Sequence, residues 1–283
     1  MAMAMWPCLL ALAATTASAP SSSEQTLRIE QWGDNSIRVR ASPAGRTIAE
    51  DAAGALTSSP LGASGSAESD PSTTGAVSGA LNCTLGDDNI LRFFRGDELL
   101  LSESSPRKFG DTKYPGISNL TIAFTLASDE KIWGLGQVIT DSLDASGQGC
   151  YQTAPNNGHI VIPLAHSSRG VSFFLNLPSF GTVCVDDVGA TNRQFRWFSR
   201  GAANFDLWVT AAPPTTPALP AALEAYVAAT GKPTPFPYWT TGFWQSKNRY
   251  RSTWEVLEIA QRYKDLEIPL AMMVIDEGAW VFI

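Results

Sequence analysis

The 283-residue sequence has no basic run and little charge: charged residues make up 17% of it, with 20 Lys and Arg against 27 Asp and Glu. A nucleic-acid surface needs clustered cations to neutralise phosphates, so the formal net charge of −7 argues against that class of partner. No long apolar run is present either. The longest, Met5–Ala14, falls short of the roughly 20 residues that span a bilayer. No membrane partner is therefore expected. Histidine is scarce, and His159 and His166 offer no Ser/His/Asp arrangement. The four cysteines, Cys8, Cys83, Cys150 and Cys184, match no metal-ligand spacing, and no metal or cofactor is expected. Gly134-Leu135-Gly136 lacks the further glycines and the following helix of a phosphate loop. Internal repeats are absent.

The chain opens MAMAMWPCLLALAATTASAP. Its apolar segment and the small-x-small triplet Ala17-Ser18-Ala19 read as a secretory signal over residues 1–19. Cleavage would remove Cys8. The remaining three cysteines then leave either one disulfide and a free thiol, or no disulfide. Two glycosylation sequons, at Asn82 and Asn119, matter if the chain is secreted.

Residues 20–215 read as an all-β region. LRIEQWGDNSIRVR gives two strands around Gly33-Asp34-Asn35. Residues 41–80 are Ala, Ser, Gly, Thr and Pro with almost no aromatics, and predict a flexible insertion. Strand patterns resume at Leu81–Leu85, Ile90–Phe94 and Leu99–Ser102. Leu120–Leu126 alternates with period two, as a half-buried antiparallel strand does. Five further short strands follow up to Val209, a spacing that predicts a β-sandwich.

The pattern then changes. A linker and lead-in over 216–236 carries a short helix at Ala218–Thr230 that stops at Gly231. Residues 237–283 predict a strand at Trp239–Gln245, a helix at Ser252–Glu267 and a strand at Leu270–Ile275. Ser252 and Glu255 form a capping box, and Pro269 ends the helix. Strand, helix and strand with short joins predict a parallel pair. The carboxyl ends of such strands form the ligand face. Asp276, just beyond AMMVI, is a candidate there, and helix capping or simple solvation are its plainer readings. Trp244, Gln245 and Lys247 close the preceding strand, and rings beside polar donors suit a polyol. Phe243 and Trp244 alternate, so only one of them faces a ligand.

PYWTTGFWQSKNRYRSTWEVLEIAQRYKDLEIPLAMMVID resembles the start of the catalytic barrel of glycoside hydrolase family 31, the α-glucosidase and α-xylosidase group. GFWQSKNRY is specific for one branch. RIEQWGDNSIRVR and ILRFFRGDELLLSES resemble the family's galactose-mutarotase-like sandwich, and KIWGLGQ its aromatic-Gly-x-Gly segment. The resemblance covers residues 27–276. It implies a mostly-β chain: a sandwich followed by the first βαβ unit of a truncated (β/α)8 TIM barrel. It implies a retaining enzyme acting on terminal α-linked glucose or xylose, with two aspartates about 5–5.5 Å apart. In the family both lie on later barrel strands, so no catalytic residue is assigned here and the chain is expected to be inactive. Asp276 matches the aspartate that binds sugar hydroxyls, with Trp244 and Lys247 as further substrate-binding candidates. After Asp276 the branch continues D-W-x-x-W. Here the first Trp is missing, Trp280 stands at the second, and the last seven residues read as a truncation artefact. A non-catalytic carbohydrate-binding sandwich is the competing reading.

Overall fold

The structure, a computed structural model, describes residues 25–57, 72–137, 142–154 and 160–276. The expected signal segment, His159, Trp280 and the last seven residues lie outside the described residues. The chain divides into two compact units, Met1–Gly231 and Lys232–Ile283.

The first unit holds fifteen strands: β1 (Thr26–Gln31), β2 (Ser36–Ser42), β3 (Gly75–Ser78), β4 (Leu81–Leu85), β5 (Leu91–Arg95), β6 (Glu98–Glu103), β7 (Lys108–Gly110), β8 (Ser118–Thr125), β9 (Ile132–Gln137), β10 (Cys150–Gln152), β11 (Ile160–Ser167), β12 (Val171–Leu175), β13 (Phe180–Val185), β14 (Gln194–Ala202) and β15 (Phe205–Ala211). One sheet runs β1-β2-β15-β12-β11-β9. The other runs β10-β13-β14-β8-β6-β5-β4-β3, with β7 also paired to β8. All these pairings are antiparallel. The alternation read at Leu120–Leu126 is real: Leu120, Ile122 and Phe124 of β8 point inward and are fully or almost fully buried. Phe124 meets Phe173 of the opposite sheet at 5.2 Å and Phe195 at 6.3 Å. One core joins both sheets, so they form a sandwich. Each such buried ring is worth roughly 1.5–3 kcal/mol in area removed from water.

β2 and β15 are buried on both faces. Their inward residues, such as Val39 and Leu207, enter the core. On the outer face helix α1 (Ala218–Thr230) packs on β15 and β12, its Tyr226 edge-on to Phe174 at 5.2 Å and beside Trp208 at 6.3 Å, while Arg38 and Arg40 of β2 lie against Trp32 and against Glu30 and Glu50. Asp206 gathers the buried polar groups at the centre of this face. Arg38 donates bidentately to Asp206 at 2.8 and 2.7 Å, and Asn176 donates to Asp206 at 2.6 Å. The helix expected inside a linker is thus part of the first unit. Gly231, at φ 94°, ends it.

The stretch 41–80, expected as a flexible insertion, holds the end of β2 and all of β3. Residues 43–57 are pinned by polar groups from far along the chain. Asn204 exchanges bonds with Ala49 (N–H to Oδ1 3.1 Å, Nδ2 to O 2.9 Å), and Asn176 accepts from Ala55 N–H at 2.7 Å. Glu50 pairs with Arg28 and Arg40, both at 2.6 Å. Composition reports apolar burial and is silent about such anchoring. Residues 58–71, the middle of the stretch, lie outside the described residues.

Cys150 and Cys184 face each other on β10 and β13 with Cα atoms 4.3 Å apart, and they form a disulfide. Cys83 is a free, buried thiol, and burial pushes its pKa well up. Of the two alternatives left by the sequence, the structure takes one disulfide and one free thiol.

In the second unit the expected strand at Trp239–Gln245 is replaced. Tyr238–Thr241 forms a 3₁₀ turn, and the strand β16 covers only Trp244–Lys247. The hydroxyls of Thr240 and Thr241 bond back to the carbonyls of Pro237 and Tyr238 at 2.7 and 2.8 Å. This local bonding competes with a ladder. Helix α2 (Thr253–Asp265) shows half of the expected capping box: Ser252 Oγ accepts from Glu255 N–H at 3.2 Å, while the Glu255 carboxylate takes the N–H of Arg251 instead of that of Ser252. It ends in a Schellman turn, with Glu267 N–H to Lys264 O at 3.0 Å and Ile268 N–H to Tyr263 O at 2.9 Å. That turn puts Glu267, not a glycine, at φ 53°. Strand β17 (Met272–Ile275) pairs parallel with β16, in register from Trp244↔Met272 to Lys247↔Ile275.

Candidate functional site

The register of the parallel pair sorts the candidate residues by end. Lys247 closes β16 opposite Ile275, and the exposed Asp276 follows directly. These two share the carboxyl end. Trp244 opens β16, opposite Met272, about 10 Å back along a strand that rises roughly 3.3 Å per residue. Its indole N–H donates to Thr240 O at 3.0 Å, so the ring is tied to the turn that precedes the strand. The structure brings Lys247 and Asp276 together at one end and puts Trp244 at the other. The difference arises because the strand starts at Trp244 rather than ending near it.

Lys247 is held from the helix side. Its Nζ lies 2.5 Å from Glu255 Oε1 and 5.8 Å from the centre of the Tyr250 ring. Glu255 also accepts from Arg251 N–H at 2.6 Å. The bond from Lys247, then that from Arg251 N–H, hold the Glu255 carboxyl below its ordinary pKa. A carboxylate in the first turn of α2 also suits the positive end of the helix dipole. One residue therefore ties the chain that enters the helix and steers the lysine. The sequence showed Glu255 only as half of a capping box, and its link to Lys247 needed the fold. Gln245 is also engaged, accepting from Tyr263 O–H at 2.5 Å. Phe243 stacks near Tyr263 at 5.8 Å.

The sequon asparagines are both half-buried within strands. Asn82 sits in the middle of β4, and Asn119 in β8 donates to Asp111 O at 3.4 Å. His166 is buried, with Nδ1 2.8 Å from Ser172 Oγ, and burial lowers its pKa. Gly134-Leu135-Gly136 lies in β9 against β11. A Cβ on Gly134 would stand 2.5 Å from Leu164 O, and one on Gly136 2.1 Å from Ile160 O. These glycines serve close strand approach. Among the described residues no group of three His, Cys, Asp or Glu side chains could hold a metal, and no helix is long and apolar enough to cross a membrane.

The parallel pair and its helix fall inside a match to a family model. Residues 233–281 match the glycosyl hydrolases family 31 TIM-barrel domain. A family 31 glucosidase of Pseudescherichia vulneris, itself uncharacterized, is 31% identical over 291 residues, covering 91% of this chain. The chain belongs to glycosyl hydrolase family 31. The likeness to other family 31 proteins extends over the sandwich. An α-xylosidase of Saccharolobus solfataricus is 27% identical over 57% of this chain. A family 31 α-xylosidase from a soil metagenome, solved with xylose, superposes with a TM-score of 0.72 at 30% identity over 91% of the chain. A xylosidase from Aspergillus niger shares the fold with a TM-score of 0.74 at 24% identity, also over 91%. The chain spans 52% of the P. vulneris relative, 22% of the S. solfataricus one and 40% of the metagenomic structure.

Proposed function

We propose that these residues supply a galactose-mutarotase-like sandwich and the opening βαβ unit of a (β/α)8 barrel to a retaining α-glycosidase. Its substrates are terminal α-linked xylose or glucose. The observation that carries this reading is the parallel β16–β17 pair with Lys247 and Asp276 at its carboxyl end, inside the stretch that matches the family's barrel. Asp276 accepts hydrogen bonds from sugar hydroxyls. Such charge-assisted bonds are worth roughly 1.5–3 kcal/mol. Lys247, oriented by Glu255, supplies donors beside it. Trp244 holds the strand entry and has no sugar contact in this reading.

Bond cleavage needs two more carboxylates about 5–5.5 Å apart across the scissile bond, one as nucleophile and one as acid and then base. The family resemblance assigns both to later barrel strands. The 283 residues alone should therefore show no turnover of 4-nitrophenyl α-D-xyloside or α-D-glucoside. A product extended through the coding sequence after Ile283 should cleave at least one of them and lose that activity on Asp276→Asn. Turnover by the 283-residue chain, or an extended product inert on both, refutes the reading. Secretion is part of the proposal. It is supported by the Cys150–Cys184 disulfide, a bond that persists in oxidising compartments. Amino-terminal sequencing of the exported protein should begin after Ala19.

A further inference from the structure

On the outer face of the second sheet, strand register gathers one row of side chains near the end where two hairpins turn. Val77 of β3 stands opposite Asn82 of β4, Asn82 opposite Phe94 of β5, and Phe94 opposite Leu99 of β6. The strand neighbours Leu81, Cys83, Phe93 and Leu100 are buried in the core, so the row points outward. Strands lie about 4.8 Å apart, which makes the row about 14 Å long. It is apolar except at Asn82. Val77 is 65% exposed, Leu99 is 38% exposed and Phe94 is half-buried. The next outward row, Thr84, Arg92 and Ser102, is polar. On the other side the turns Gly79-Ala80 and Gly96-Asp97 leave the row open to solvent.

Asn82 is the odd member of this row. It is half-buried between apolar neighbours, and its carboxamide makes no hydrogen bond to any described residue. It also opens the acceptor triplet Asn82-Cys83-Thr84. Residues two apart in a strand share a face, so Asn82 and Thr84 both stand on the outer side. A sugar linked to the Asn82 nitrogen can turn its C–H face to the Phe94 ring and its hydroxyls to water. The second sequon is placed differently. Asn119 of β8 stands opposite Gly110 and donates to Asp111 O at 3.4 Å, and no aromatic residue of β14 is opposite it.

We propose that Asn82 carries an N-linked glycan whose first N-acetylglucosamine stacks on Phe94 and covers the apolar row from Val77 to Leu99. The proposal rests on the secretion reading above and is independent of the glycosidase reading. For the test, the chain from Pro20 is made behind the host's own signal in a host that exports and N-glycosylates proteins. Failure of the native signal therefore leaves the test intact. Peptide mass spectrometry should find the glycan on Asn82. Asn82→Gln should lower the urea midpoint by about 0.2–0.6 M, the worth of one aromatic stacking contact at the urea sensitivity of a domain this size. Trimming the glycan to its first sugar with an endoglycosidase should preserve that margin. In a Phe94→Thr background, which removes the ring from an outward position, Asn82→Gln should no longer lower the midpoint. The trimming arm keeps the test open if Phe94→Thr fails to fold. An exported, folded chain with Asn82 unoccupied, a midpoint that Asn82→Gln does not lower, a margin lost on trimming, or a margin that survives Phe94→Thr would each overturn the proposal.

Discussion

Arg107→Met should be among the most damaging single changes in the sandwich, and its damage should depend on pH. Arg107 and Glu103 have side chains with no solvent exposure, and Arg107 Nη1 donates to Glu103 Oε2 at 2.9 Å. Glu103 Oε2 also accepts from Leu91 N–H at 2.9 Å, and Arg107 Nη2 donates to Asn89 Oδ1 at 3.3 Å. Removing one member of a fully buried pair costs about 3–5 kcal/mol, because the other charge stays buried and uncompensated. For a urea m-value near 2.5 kcal/mol/M that is a midpoint about 1–2 M lower. Burial already raises the Glu103 pKa, with Arg107 opposing it. Without Arg107 the folded-state pKa moves further above the unfolded value of about 4.3. A raised folded pKa stabilises the fold below the unfolded pKa, and that contribution is lost as pH rises through the folded value. The deficit of Arg107→Met against the parent should therefore be larger at pH 7.5 than at pH 4.5. The double variant Glu103→Gln/Arg107→Met removes both charges and keeps an acceptor for Leu91 N–H, so it should be less damaged than Arg107→Met at pH 7.5. Urea unfolding followed by far-UV circular dichroism measures all three. A cost for Arg107→Met under about 1 kcal/mol at pH 7.5, or one that grows on acidification, would refute the reasoning.

Glu267→Gly should stabilise helix α2 by roughly 0.5–1 kcal/mol, since Glu267 occupies a left-handed position that glycine adopts without strain; slower amide exchange in α2 would show it. Cys150→Ser/Cys184→Ser opens a loop of sequence separation 34 and should cost up to about 3.8 kcal/mol by loop entropy, read as a lower melting temperature that added reductant no longer changes. In the same protein Cys83 should stay silent to a thiol reagent until the chain unfolds.

Features with a short-range cause were legible in the sequence. The alternation of β8, the turn of the β1–β2 hairpin and the Ser252 cap depend on neighbours within a few residues. Features with a remote cause were not. Order in residues 43–57 comes from Asn176, Asn204, Arg28 and Arg40, and only Asn35-like turn chemistry or apolar periodicity would have been visible locally. The pairing of Cys150 with Cys184 follows from strand neighbours that spacing does not reveal. At the candidate site the helix was read well and the strand badly. Threonines that bond back to Pro237 and Tyr238 turned an apparent strand into a 3₁₀ turn, so Trp244 opens β16 and stands at the opposite end of the strand from Lys247. Asp276 was placed by its position after an apolar strand, a signal the topology itself creates.

β9 ends the six-stranded sheet, where a strand would ordinarily offer a free row of donors and acceptors to any passing chain. Gly134, Leu135 and Gly136 all have positive φ, at 98°, 65° and 90°. Three such residues in succession rotate the peptide groups out of the regular alternation that a new strand would need. The glycines that let β9 press against β11 therefore also spoil its outer margin as a template. Substituting them would do more than loosen one contact. It would push β9 off β11, because the added Cβ atoms meet the carbonyl oxygens of Leu164 and Ile160 at 2.5 and 2.1 Å, and so uncover the backbone groups of β11 in its place.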